Sequence, residues 1–366
     1  MKIKKVNHGA NLFELAREKH LSIEDLKDFS SNISPYGVSQ KALDKLKDNL
    51  DRACIYPDPE YRELRSAIAS YCSVKSENVL IGSGATFFIN SFIKLLSPKR
   101  CLIFAPSYSE YEKELKKVDA TVLKFLLKEE KGFKIDFDEI CDFIKKENID
   151  TVFICNPNNP TGSVLKSEDI QKLQSATGSR FVIDETYVEF TDKSIYSSCG
   201  VADKNKNIFV IRSTSKFFAT PGIRLGYAIC SDDEVKQRLS DKFASLWGVN
   251  IFADILGCEM FLDTQFHKHV YEKFKQQREF MLSSLKRIDG IKPFETNGNF
   301  MLVIIIDPKI SIRSLYDYAL NENMILRDCS SFVYLGDRFF RVCFLDDKSN
   351  KELIELLKRF FDGKNR

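Results

Sequence analysis

Through the middle of the chain, short apolar runs alternate with amphipathic stretches. The pattern predicts strands over 79–81, 101–104, 120–126, 151–154, 180–183, 208–211 and 225–229. Helices are predicted between them over 87–96, 108–117, 136–147 and 167–176. Runs such as Thr151-Val152-Phe153-Ile154 would be apolar on both faces of a strand. Strands of that kind, separated by helices, form a largely parallel sheet covered on both sides. Beyond residue 250 the pattern changes. Helical periodicity runs over 250–288, as one bent helix or two joined ones. A strand over 300–306, a helix over 312–321, a strand over 339–344 and a helix over 349–361 close the chain. We therefore expect a large α/β domain over 51–249 and a smaller α+β domain over 250–366. Residues 1–50 hold two short helices and an irregular segment, expected to pack with the smaller domain.

Composition narrows the class. A chain of 366 residues suits about two domains. Hydrophobic residues at 43% and charged residues at 29% mark a soluble globular protein. Lys plus Arg number 55 and Asp plus Glu 52, and a formal charge of +3 gives no reason to expect a nucleic-acid partner. No apolar run approaches the ~18 residues of a membrane span. The opening MKIKKVNHGANLFEL lacks the apolar core of a signal peptide. A cytoplasmic location without a membrane partner is expected. The ten Cys never fall in C-x-x-C spacing and sit mostly in apolar runs, which predicts buried reduced thiols. Of the four His, His267 and His269 point in different directions on a helix, so no metal is expected.

The candidate chemistry sits where the strands end. In a parallel α/β sheet, ligands bind outside the carboxyl ends of the strands. After Ile81 comes Gly82-Ser83-Gly84-Ala85-Thr86, small residues that let a helix N-terminus approach a phosphate. After Ile154, Asn156-Pro157-Asn158-Asn159-Pro160-Thr161-Gly162 forms a constrained turn that would present Asn159. After Ile183 comes Asp184, an acid costly at a buried strand end unless a cation pairs with it; a helix N-cap is the plainer reading. After Ile211, Arg212-Ser213-Thr214-Ser215-Lys216 places a lysine among hydroxyls and next to Phe217-Phe218. Such a lysine is a candidate nucleophile. Arg224 follows as a second cation suited to phosphate.

Taken together, N-P-N-N-P-T-G over 156–162, D-E-T-Y over 184–187, and S-T-S-K over 213–216 followed by G-I-R-L-G over 222–226 resemble the fold-type I pyridoxal-phosphate (PLP) enzymes of the histidinol-phosphate aminotransferase group. The resemblance covers essentially the whole chain. It implies an α/β fold of the PLP-dependent transferase type, with PLP as cofactor. It also implies that Lys216 carries the cofactor and moves protons. Asp184 would pair with the pyridine N–H, and Asn159 and Tyr187 would hydrogen-bond the ring's phenolic oxygen. Tyr108 would stack on the ring. Gly84, Ala85, Thr86, Ser213, Ser215 and Arg224 would hold the phosphate. Tyr56 would reach the partner subunit's site, which makes a homodimer. Arg341 would be the arginine for a substrate anion.

One branch of that group matches further. His8-Gly9-Ala10-Asn11 and Asp28-Phe29-Ser30-Ser31-Asn32-Ile33-Ser34-Pro35 resemble the L-threonine-O-3-phosphate decarboxylases of cobalamin biosynthesis, as do Leu326-Arg327-Asp328-Cys329 and Tyr334-Leu335-Gly336. That branch implies a phosphorylated amino acid as substrate, with His8, Asn11, Asn32, Asn159, Arg327 and Arg341 as its contacts. A surface ion pair with Asp328 is the plainer reading of Arg327. The alternatives are a histidinol-phosphate-type aminotransferase and, more remotely, a non-catalytic PLP-binding regulator.

Overall fold

The computed structural model describes residues 10–243 and 247–364. The larger sheet has seven strands: β2 (Val79–Gly82), β3 (Arg100–Ala105), β4 (Thr121–Leu126), β5 (Thr151–Cys155), β6 (Arg180–Asp184), β7 (Ile208–Ser213) and β8 (Gly226–Ile229), in the spatial order β2-β8-β7-β6-β5-β3-β4. Every residue of β5, β7 and β8 is buried, as two covered faces require. Pairing is parallel from β7 through β6, β5 and β3 to β4. The sheet departs from all-parallel at β8, which runs antiparallel to both β2 and β7. This reversal brings the start of β8, and Arg224 just before it, to the edge where the other strands end.

The smaller sheet holds β9 (Ile291–Pro293), β10 (Phe300–Ile305), β12 (Arg327–Asp328) and β13 (Phe339–Cys343), antiparallel in the order β12-β13-β10-β9. Near the N-terminus, β1 (Lys27–Asp28) pairs in parallel with β11 (Met324–Ile325). Ala16, Leu26 and Ile325 bury a small apolar cluster beside this pairing. The helical stretch beyond residue 250 is two helices, Ile251–Leu262 and Thr264–Leu285. They break at Asp263, whose carboxylate caps the second helix and accepts a 2.6 Å hydrogen bond from Ser39 Oγ. The first packs on helices Gln40–Lys47 and Arg62–Cys72; the second packs on helix Asp347–Lys364. Helices Arg62–Cys72 and Asp233–Phe243 and strand β9 add to the elements read from the pattern. Among the described residues, no helix is long and apolar enough to cross a membrane.

One close approach sets the edge of the sheet where β8 begins. A Cβ on Gly226 would lie 2.5 Å from the Gly84 carbonyl carbon and 2.7 Å from the Ala85 nitrogen, both backbone atoms that cannot swing aside. Gly226→Ala is therefore expected to cost ~1–3 kcal/mol through overpacking. Its urea midpoint should fall accordingly, and an unchanged midpoint would show that the turn yields freely.

Candidate active site

A cavity of about 270 Å3 lies at the ends of the large-sheet strands and is closed on the other side by β12, β13 and the loop after β1. Lys216 enters it three residues beyond β7. Its ammonium donates to the Ser31 carbonyl at 2.6 Å, and its own carbonyl accepts from the Ser34 N–H at 3.0 Å. Burial, reinforced by the charge of Arg341, lowers the Lys216 pKa to about 8.

Asp184 is the last residue of β6 and is 4% exposed. One carboxylate oxygen accepts from the Tyr111 hydroxyl at 2.6 Å; the other accepts from the Thr186 N–H at 3.0 Å and from the Thr186 hydroxyl. These donors are all neutral. No ion pair reaches Asp184 among the described residues, and burial pushes its pKa up. The side chain closes a local turn rather than capping a helix. It faces the cavity as a carboxylate short of a cation.

The small residues after β2 form a candidate anion site. Gly84 has φ +93, and helix Ala85–Leu96 starts on it without a side-chain cap. A Cβ on Gly84 would stand 2.8 Å from the Arg224 guanidinium. Arg224 is steadied by donating to the Pro221 carbonyl at 3.1 Å, and the Ser213 and Ser215 hydroxyls lie 3.0 Å apart beside it. An uncapped helix start, an arginine and two hydroxyls suit a phosphate. Thr86, Ala85, Ser213 and Ser215 all line the cavity, as do Tyr108 and Tyr187.

On the opposite wall, Arg327 and Arg341 are cross-strand partners in the β12–β13 register, and both line the cavity. Like charges directly opposite one another are unfavourable. Burial, then the charge of Arg341, lowers the Arg327 pKa. As adjacent residues of a strand, Arg327 and Asp328 point to opposite faces. Arg341 donates to the Asn159 side-chain oxygen and, at 2.5 Å, to the Ser30 carbonyl; its Nε has no partner among the described residues.

Three predicted residues lie elsewhere. Asn32 is fully buried behind the cavity wall, donates to the Tyr187 hydroxyl at 3.2 Å, and accepts from the Asn299 amide at its carbonyl. Asn11 does not line the cavity: it caps helix Leu12–Lys19, with its side-chain oxygen on the Glu14 N–H at 3.2 Å. Tyr56 is 73% exposed, away from this chain's cavity, and stacks on Trp247 at 4.2 Å. His8 lies outside the described residues. Tyr111, Thr186, Ser30 and Ser31 join the site although sequence reasoning missed them. Tyr111 sits on the buried face of helix Glu110–Lys116, where no local signal sets it apart.

These residues fit PLP. The carboxylate lacking a cation matches a protonated ring nitrogen, the glycine-lined anion site matches the phosphate, and a lysine of lowered pKa lies between them. Without cofactor, Lys216 should react with an amine-selective reagent along a pH curve with its midpoint near 8, whereas ordinary lysines are mostly protonated until above pH 10. Peptide mapping after pulse labelling reads this directly, and a midpoint near 10 would contradict it.

Comparisons with known proteins agree with this geometry. The family model for aminotransferase class I and II matches residues 24–357. A Caldanaerobacter subterraneus protein provisionally named threonine-phosphate decarboxylase is 34% identical, over 99% of this chain and 95% of its own length. The crystal structure of histidinol-phosphate aminotransferase from Clostridium acetobutylicum superposes with a TM-score of 0.85 at 33% identity, over 92% of this chain and 100% of that one. That of L-threonine-O-3-phosphate decarboxylase from Porphyromonas gingivalis gives 0.79 at 26% identity, over 91% and 99%. With the carboxylate, the lysine and the phosphate cradle all in place, the chain belongs to the class I and II aminotransferase family of fold-type I enzymes, whose cofactor is PLP.

Proposed function

We propose that the enzyme decarboxylates an O-phosphorylated 3-hydroxy amino acid, with L-threonine O-3-phosphate giving (R)-1-aminopropan-2-yl phosphate for cobalamin biosynthesis. The facing pair Arg327 and Arg341 carries this reading. With Arg224 and the start of helix Ala85–Leu96 given to the cofactor's phosphate, two arginines remain over the cavity. Their charge-assisted bonds suit a substrate bearing both a phosphate and a carboxylate. The similarity to proteins named as threonine-phosphate decarboxylases supports it.

Each residue then has a task. When bound, PLP draws electrons from whichever bond at the substrate's Cα stands perpendicular to its ring. The chain selects that bond by where it anchors the substrate. Arg341 and Arg327 hold the two anions so that the Cα–carboxylate bond takes that position. The carboxylate leaves as CO2, and Lys216, which carries the cofactor, delivers a proton to Cα. Asp184 keeps the proton on the ring nitrogen, steadied by Tyr111 and Thr186. Tyr108 packs on the ring, and Asn159 and Tyr187 hydrogen-bond its phenolic oxygen. Gly84, Ala85, Thr86, Ser213, Ser215 and Arg224 hold the phosphate. Asn32 acts on the substrate through Tyr187. The exposed Tyr56 crosses to the phosphate of a second copy, so the working unit is a homodimer. Ten free cysteines, most of them buried, suit the reducing cytoplasm.

The second reading is a histidinol-phosphate aminotransferase, favoured by the 33% identity to the Clostridium acetobutylicum enzyme. Product analysis separates the two. Phosphothreonine should release CO2 without forming a keto product, and Arg327→Gln should raise its KM roughly 10- to 100-fold, as the loss of a hydrogen bond to a charged group does. Efficient transamination of histidinol phosphate, with no CO2 from phosphothreonine or phosphoserine, would replace decarboxylase by aminotransferase.

The dimer has its own test. Tyr56→Ala and Lys216→Ala proteins should each be impaired, while a refolded mixture should recover activity, because a hybrid dimer holds one site with both residues intact. A fully active monomer at assay concentration would remove Tyr56 from the mechanism.

A further inference from the structure

Away from the active site, a second cleft of about 440 Å3 lies between Tyr71, residues 189–194 and the start of helix Thr264–Leu285. At its inner end Glu189 is 3% exposed. One of its oxygens accepts from Arg212 at 3.1 Å; the other is buried with no partner among the described residues. The Tyr71 hydroxyl, also in the cleft, is buried and unpartnered as well. Lys193 holds its ammonium 3.8 Å from the centre of the Tyr71 ring and makes no ion pair with Glu189, although each shifts the other's pKa. A carboxylate and an ammonium thus face one cleft with space between them.

The charge balance narrows what can fill that space. Behind the lining, Arg212 is also paired with Glu185 at 2.8 Å, so together with Lys193 this buried layer holds two positive groups against Glu185 and Glu189. The lining itself carries Glu189 and Asp192 against Lys193 and Lys268. A lone cation or anion would unbalance either layer, whereas a ligand with both charges and no net charge would not. A single water, at ~30 Å3 of liquid volume, would satisfy one orphan oxygen and leave most of the cleft unused. Tyr71, Phe217 and Tyr271 supply apolar wall.

We propose that this cleft binds a free α-amino acid with an apolar side chain, its ammonium on Glu189 and its carboxylate on Lys193. Phe217, part of the wall, directly follows Lys216 in the chain, so occupation presses on the loop that carries the reactive lysine. The proposal does not depend on which reaction the active site performs.

The test uses holoenzyme reduced with borohydride, so that cofactor and Lys216 are permanently joined and no amino acid can displace the lysine; binding that Lys193→Met leaves unchanged is then assigned to the active site. L-Leucine is titrated calorimetrically, beside isoamylamine, which lacks the carboxylate, and 4-methylpentanoate, which lacks the ammonium. Leucine should bind at one site per chain, and each single-charge analogue at least tenfold more weakly. Lys193→Met should abolish the difference between leucine and isoamylamine. Glu189→Gln should abolish the difference between leucine and 4-methylpentanoate. Should Glu189→Gln fail to fold, because Arg212 loses a charged partner, Lys193→Met still decides. No leucine binding, or binding unchanged in Lys193→Met, overturns the proposal.

Discussion

Asp184 is a carboxylate that burial works against and that only neutral groups support. Its hydrogen bonds come from Tyr111 and Thr186, and Tyr111 is itself pinned by its ring contact with Phe153, 4.7 Å away on the neighbouring strand. Neutral donors orient a charge without cancelling it. Around this one acid the cavity collects four cations: Lys216, Arg224, Arg327 and Arg341. Such a cavity best suits contents rich in negative charge with a single positive point, and that point belongs on Asp184. The fit of the cavity to PLP follows from this imbalance, and so does the proposal of a substrate with two anionic groups.

The chain path makes the imbalance possible. Parallel strands deliver residues at their C-terminal ends, so a site built from them alone would collect Asn159, Asp184 and Lys216 but no arginine from β8. The reversal of β8 places Arg224 at the same edge by way of the strand's beginning. The segment after β1 then spans both halves of the molecule. Its Phe29 carbonyl accepts from Cys343 on β13 and its Ser34 N–H donates to the Lys216 carbonyl, so one short loop ties the small sheet to the lysine.

Legibility in the sequence followed geometry. Asp184, Lys216, Asn159 and Arg224 sit beside apolar runs that mark strand ends, where a polar residue is conspicuous. The pairing of Arg327 with Arg341 was open only to resemblance, because β12 has two residues and no periodicity to reveal it. Tyr111 was hidden inside a helix whose buried face looks like any other. Asn11 was read as a ligand because its motif suggested one, yet an asparagine at a helix start is also an ordinary cap, and the local bond to Glu14 prevailed. Asp263 divides two helices whose apolar periodicity reads as continuous. The second cleft is assembled from four segments far apart in the chain, which no local pattern announces.

The grip of Ser30 and Ser31 on Arg341 and Lys216 comes through backbone carbonyls, not hydroxyls. Replacing Ser31 by alanine would leave its carbonyl where it is, whereas Ser30→Ala would also break the hydroxyl's bonds to the Asp28 carboxylate and the Ala10 N–H. A conventional alanine survey of this loop would therefore report those side-chain bonds at Ser30 and little at Ser31, and miss the hold of either carbonyl on the site's cations. Only alterations of the main chain itself, such as a one-residue deletion, an inserted proline or an amide-to-ester exchange, would expose what the loop contributes.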